Sequence, residues 1–140
     1  MIEAGRPGDP ADVLPIAGDQ DVVRVRQAVR SAAVEAKLSL VDQTKVITAA
    51  SELARNTLTH GGGGHAELRS VTNGRRAGVR IEFVDRGPGI VDVDAALTDG
   101  FTTGSGLGLG LSGARRLVDE FEIETARGVG TRVTVIKWSR

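Results

Sequence analysis

Asp85 is followed by glycines at 87 and 89 in the stretch DRGPGI, and a second run, GFTTGSGLGLGL, sets glycines at 104, 106, 108 and 110. Glycine tolerates positive φ and lets the backbone approach a ligand closely. Alternate glycines ahead of a helix leave a row of free N–H groups, and with the helix dipole these favour an anion, most often a phosphate. A lone G-x-G-x-G is common in turns, so the chemistry depends on what else the chain supplies.

Three further groups could supply it. Glu52 and Asn56 are four apart in an apolar-periodic stretch, which puts them on one helix face about a turn apart. At roughly 100° per residue they fall at the edge of the apolar arc, where they either face a cleft or bond to each other's surroundings as a boundary pair. Thr131 follows Gly130 and opens the last apolar run. His60 and His65 bracket four glycines. That spacing holds the imidazoles in no fixed geometry, which argues against a metal.

The elements that must position these groups can be read in order. Residues 1–11 carry prolines and glycines without periodicity and read as a flexible tail, leaving a single domain over 12–140. Val13, Leu14 and Ile16 make a short strand, which Pro15 confines to an edge. Asp19 or Asp21 caps a helix from Val22 to Leu38, with Val22, Val25, Val29, Ala32 and Ala36 as its apolar stripe. Its Arg24, Arg26 and Arg30 form a solvated face. A second helix spans about Leu40 to Thr59, with Val46, Ala50, Leu53 and Thr57 inward. Gly61 to Gly64 end it in a loose loop.

Ala66 to Thr72 and a strand built on Val79, Ile81 and Phe83 form a hairpin around Asn73-Gly74, and the second strand delivers Asp85. Asp92 caps a short helix through Leu97, and a longer helix runs from about Leu109 to Phe121. Phe121, Ile123 and Thr125 make a strand, Arg127 to Gly130 turn, and Thr131 to Trp138 make the last strand, with Val133 and Val135 inward. Strands grouped in antiparallel pairs predict an α+β two-layer sandwich, with one mixed, mostly antiparallel sheet and helices on one face. They argue against a dinucleotide-binding fold, whose glycine fingerprint follows the first strand.

Composition removes several classes. The 140 residues hold 18 basic and 18 acidic side chains, so net charge offers no footprint for nucleic acid or an anionic membrane. No cysteine is present, which excludes disulfides and thiolate metal sites. Phe83, Phe101, Phe121 and Trp138 are too few for a base-stacking platform. Without a signal peptide or membrane-length apolar run, a cytoplasmic protein is expected.

Glu52 with Asn56, Asp85 with Gly87 and Gly89, the glycines from Gly104 to Gly110, and Gly130-Thr131 occur in one order over about two thirds of the chain. Together they resemble the GHKL ATPase family of histidine kinases, gyrase, Hsp90 and MutL. SELARN, DRGPGI, DGFTTGSGLGLGL and the closing IKW narrow the resemblance to small stand-alone serine kinases of bacterial partner-switching modules, the RsbT-type switch kinases of the general stress response. Anti-sigma factors of the SpoIIAB type are near relatives of these.

The resemblance implies ATP and Mg²⁺ as cofactors. Asp85 would read adenine, Thr131 would support it, Gly89 would let the base lie close, and Gly87 would belong to the same nucleotide-binding set. Asn56 would be the Mg²⁺ ligand and Glu52 the general base. The segment Thr103, Gly104, Ser105, Gly106, Leu107, Gly108, Leu109, Gly110 would cradle the phosphates. The residues between the two glycine clusters would form a mobile lid. His60 and His65 are poor phosphoacceptors beside a glycine loop. The implied activity is ATP-dependent serine/threonine phosphorylation of a STAS-domain regulator, with a PP2C-type phosphatase or a sigma factor as the next partner and no role for nucleic acid or membrane. Two alternatives stay open: an anti-sigma factor acting mainly by sequestration with ATP as a structural ligand, and the ATPase part of a larger machine, against which the apparently complete ending at Arg140 counts.

Overall fold

The computed structural model describes residues 11–90, 93, 97 and 111–140, with the backbone of Glu3–Ala4. Six strands form one sheet: β1 (Glu3–Ala4), β2 (Asp12–Ile16), β3 (Gly64–Asn73), β4 (Arg76–Asp85), β5 (Glu120–Ala126) and β6 (Gly130–Trp138). Three helices, α1 (Asp19–Glu35), α2 (Leu40–Thr59) and α3 (Leu111–Leu117), complete the described elements. The strand order is β1-β3-β4-β6-β5, and β2 lies beside β1 along the same edge of β3. Every pairing among the described residues is antiparallel. The expected α+β sandwich with a mostly antiparallel sheet is what forms.

α2 has the expected limits. Ser39 is its N-cap, its hydroxyl accepting from the Asp42 N–H at 3.1 Å. α1 starts three residues before Val22, because Gly18 takes the N-cap and Asp21 sits at the third helical position. The Asp21 carboxylate accepts from the Ala17 N–H at 2.8 Å and the Gly18 N–H at 3.1 Å. α1 also ends earlier, at Glu35. Lys37 adopts φ +62°, and the N–H groups of Lys37 and Leu38 close back on Val34 and Ala33. This is a Schellman turn with lysine where glycine is usual, and it folds Leu38 into the core.

The helices bury their stripes on one face of the sheet. Val22, Val25, Val29 and Ala33 of α1 and Val46, Ala50 and Leu53 of α2 meet Ala66, Leu68, Val79, Ile81, Phe83, Val133 and Val135. Alternate strand residues point to one face, so these are the even positions of β3 and the odd positions of β4 and β6. Each fully buried Val, Leu or Ile contributes roughly 1.5–3 kcal/mol. Arg24, Arg26 and Arg30 are exposed, as expected of a solvated face. On the opposite face Val71, Ile136 and Trp138 form a small second cluster, with the indole lying over Gly78.

Pro15 sits in an edge strand, opposite His65. The β3–β4 hairpin closes with Asn73 opposite Arg76 and Gly74 at φ +62°, so it turns where expected. Within the stretch read as a tail, Glu3–Ala4 pairs with Thr72 and Val71. Of the short helix expected after Asp92, the described part is one bond from the Leu97 N–H to the Val93 carbonyl, at 3.0 Å. α3 stops at Leu117 rather than Phe121, because the chain turns at Asp119 to start β5. The Asp119 N–H donates to the Ile136 carbonyl and its carboxylate accepts from the Trp138 N–H at 2.7 Å, so strand partners claim the residues a longer helix would use. No helix among the described residues is long and apolar enough to cross a membrane.

Candidate functional site

The lower end of α2 and the adjoining ends of β4 and β6 enclose a pocket. It is lined by Leu53, Asn56, Thr57 and His60 from α2 and its cap, Phe83 and Asp85 from β4, Ile90, Leu111, and Thr131 and Val133 from β6. The α2 residues follow one helical stripe, the continuation of its core-facing one. Walls are apolar, and Asp85 and Thr131 supply buried polar groups directly opposite each other in the β4–β6 ladder. A mostly apolar cavity with a few convergent polar groups is the usual form of a small-molecule site.

Asp85 reaches this position as the last residue of β4. Its Oδ1 accepts from the Gly87 N–H at 2.8 Å. A carboxylate has room for about four such bonds, so acceptor capacity remains. Thr131 is held by a cross-strand partner, Thr125, with the hydroxyl oxygens 3.0 Å apart. The Thr125 hydroxyl donates to the Gly130 carbonyl at 3.2 Å and accepts from the Ile90 N–H at 2.9 Å. The Thr131 hydroxyl then donates to Thr125, which leaves its own oxygen able to accept.

Asn56 lines the pocket, as expected of a residue facing a cleft. Glu52 lies one turn earlier, half-buried at the edge of the same stripe and outside the pocket lining. Gly89 is buried with φ +81°, and a Cβ there would meet the Ala126 carbonyl oxygen at 2.6 Å. Thr103, Gly104, Ser105, Gly106, Leu107, Gly108, Leu109 and Gly110, and most of the expected lid, lie outside the described residues.

The loop after α2 corrects one expectation. It packs closely at Gly61, where a Cβ would stand 2.3 Å from the Asp85 carboxyl carbon. Here glycine serves close approach rather than looseness. The two histidines have separate partners. His60 Nε2–H donates to the Gly89 carbonyl at 3.3 Å, and His65 Nε2 lies 3.2 Å from a Glu67 carboxylate oxygen. Sequence reasoning missed His60 as a pocket residue and Thr125 as the partner that orients Thr131. His60 continues the Glu52–Asn56 spacing by another four, which was a usable signal. Thr125 becomes visible once the β5–β6 register is known.

Residues 41–139 match the family described as histidine kinase-, DNA gyrase B-, and HSP90-like ATPases. The chain is 42% identical over 120 residues to the "Serine/threonine-protein kinase RsbT" of Bacillus subtilis (strain 168), covering 86% of this chain and 90% of that protein. It is also 29% identical over 119 residues to the "Anti-sigma F factor" of Thermoanaerobacter sp. (strain X514), covering 81% of this chain and 82% of that one. The namesake from Thermoanaerobacter pseudethanolicus (strain ATCC 33223 / 39E) matches to the same extent.

Proposed function

The chain belongs to the family of histidine kinase-, DNA gyrase B- and HSP90-like ATPases, and from that premise we propose that it is an ATP-dependent protein serine/threonine kinase of a sigma-factor partner-switching pathway, acting on a STAS-domain regulator. The observation that carries the nucleotide part is the convergence of Asn56, Asp85 and Thr131, distant in sequence, on one apolar-walled pocket. An adenine ring is flat and largely apolar, with an exocyclic amine at its edge. The walls of Leu53, Phe83, Ile90, Leu111 and Val133 suit the ring, and Asp85 accepts from the amine. Thr131, oriented by Thr125, offers a second acceptor directly or through water. The kinase part draws on the relative named a serine/threonine-protein kinase.

Asn56 would hold Mg²⁺ through its amide oxygen, in keeping with an ion that takes few protein ligands alongside phosphates and water. Mg²⁺, when bound, neutralises and aligns phosphate oxygens. The glycines from Gly104 to Gly110 would offer backbone N–H groups to the phosphates. Glu52, one turn from Asn56, takes the proton from the attacking hydroxyl of the protein substrate, whose oxygen then bonds to the terminal phosphorus as ADP leaves. The phosphate adds a charge of about −1.5 to −2 to the substrate, enough to disrupt a packed interface by repulsion and desolvation. A PP2C-type phosphatase or a sigma factor then becomes the next partner.

A sequestering role is the second reading, favoured by the relatives named anti-sigma F factor. One experiment separates the two. The protein is mixed with Mg²⁺, γ-labelled ATP and lysate of its source cells, beside a Glu52→Ala control, and labelled residues are mapped by mass spectrometry. Label on a Ser or Thr of one small protein, reduced about 10²–10⁴-fold in the variant, is expected. ATP binding without label on any protein, together with capture of a sigma factor, would sink the kinase reading in favour of sequestration.

A further inference from the structure

Four hydrogen bonds among the described residues tether the loop from Asp85 to Ile90. The Gly87 N–H donates to Asp85 Oδ1 at 2.8 Å, the Gly128 N–H to the Pro88 carbonyl at 2.9 Å, and the Ile90 N–H to Thr125 Oγ1 at 2.9 Å. These three come from β4 itself or from the β5–β6 hairpin, so they hold the loop to the sheet. The fourth comes from the helix layer: His60 Nε2–H donates to the Gly89 carbonyl at 3.3 Å. A carbonyl can only accept, so the proton of this bond is on Nε2. Gly89 is buried, and its carbonyl would lose a donor if His60 were changed.

His60 also lines the pocket, and it is the cap of the helix that carries Glu52 and Asn56. Its own N–H and that of Gly61 both donate to the Asn56 carbonyl, at 2.9 and 3.1 Å. The next residue, Gly61, abuts the Asp85 carboxyl so closely that no Cβ fits. The end of α2 therefore touches both sides of the Asp85 loop: one residue fixes the carbonyl of Gly89 and the next sets the clearance around Asp85. We propose that His60 is a positioning residue of the nucleotide pocket, clamping the Gly89 loop to α2 so that the adenine-reading edge and the Asn56 turn keep a fixed separation. The inference rests on the nucleotide reading of this pocket.

The clamp predicts weaker binding beyond what any loss of stability explains. His60→Phe keeps a ring of similar breadth and lacks the donor. His60→Gln restores an N–H at about the same reach. ATP and ADP affinities are measured by titration calorimetry in the presence of Mg²⁺ for the wild type and both variants, beside thermal melts of the unliganded proteins. Loss of one hydrogen bond should weaken ATP by about three- to tenfold in His60→Phe at temperatures where the variant is fully folded, with His60→Gln recovering most of it; the unliganded His60→Phe melt falls modestly, because the buried Gly89 carbonyl loses its donor, and His60→Gln restores that too. Wild-type affinity in His60→Phe overturns the clamp while leaving the nucleotide reading intact. An equal lowering of both variants' melts, with affinity tracking the melt and no recovery in His60→Gln, overturns it in favour of a merely structural histidine. A wild-type chain that binds neither nucleotide sinks both readings together.

Discussion

Strands β4 and β6 lie side by side at the middle of the sheet, and their two ends treat buried charge in opposite ways. At one end Asp85 faces Thr131, is buried, and receives a single hydrogen bond from the Gly87 N–H among the described residues. At the other end Asp42 and Asp119 surround Lys137, whose ammonium lies 3.6 Å from an oxygen of each. Arg140 adds a 2.6 Å ion pair to Asp119, and the Trp138 N–H adds a hydrogen bond. The Trp138 indole N–H is taken by Glu120 at 2.6 Å. A buried charge met on all sides ties α2, β5 and β6 together. A buried carboxylate with acceptor capacity to spare is equipped to read a ligand. The difference lies in how many partners the surrounding elements supply, not in residue type.

Lys137→Met should have the largest effect on stability. It leaves the buried Asp42 carboxylate with only the exposed Arg140 guanidinium, 3.8 Å away, to balance it, and breaking such a buried pair typically costs about 3–5 kcal/mol. Trp138 is the only tryptophan in the chain and sits beside this cluster, so urea unfolding followed by its emission reports the change directly. ATP affinity should stay within about twofold, because distant sites act independently. A tenfold loss of affinity in this variant would show that the two ends are coupled and would break the comparison.

Asp85→Asn should do the reverse. Replacing a carboxylate acceptor by an amide removes a charge-assisted hydrogen bond, worth roughly 1.5–3 kcal/mol. ATP affinity measured by calorimetry should therefore fall about 10- to 150-fold. The urea midpoint should hold steady or rise, since a buried charge is removed without orphaning a cation. A collapse of stability instead would place Asp85 with the fasteners.

The smallest effect is expected at Asp21, which lies at neither end. The Ala17 N–H first, then the Gly18 N–H and the Arg24 guanidinium, hold its carboxyl below the usual carboxylate range against a partial rise from desolvation. A depressed folded-state pKa stabilises above the unfolded value, near 3.9, and the contribution is lost as pH falls through the lower folded value. Asp21→Asn should melt slightly below the wild type at neutral pH, and the two melts should converge in strong acid. Nucleotide affinity should not change at any pH where both are folded.

Local patterns in the chain determined much of this protein. The 3.6-residue periodicity and the glycines after Thr59 marked α2 from end to end, because its stripe and its stop signal are both encoded in the local sequence. Alternation in Val79, Ile81 and Phe83 placed β4 and its terminal Asp85, and Asn73-Gly74 placed the hairpin, since turn chemistry and side-chain period are local properties. The Glu52–Asn56 face followed from helical spacing alone. Tertiary structure decided the rest. α3 stops at Leu117 because Asp119 is claimed by β6, a partner far along the chain. Gly61 proved tightly packed because Asp85 arrives beside it from another strand, and a run of glycines carries no mark of what it will touch. His60 and Thr125 entered the site, and Lys137 found its two carboxylates, only when strand register and helix placement brought separate segments within hydrogen-bonding distance. Such contacts depend on three-dimensional proximity, which one-dimensional periodicity does not encode.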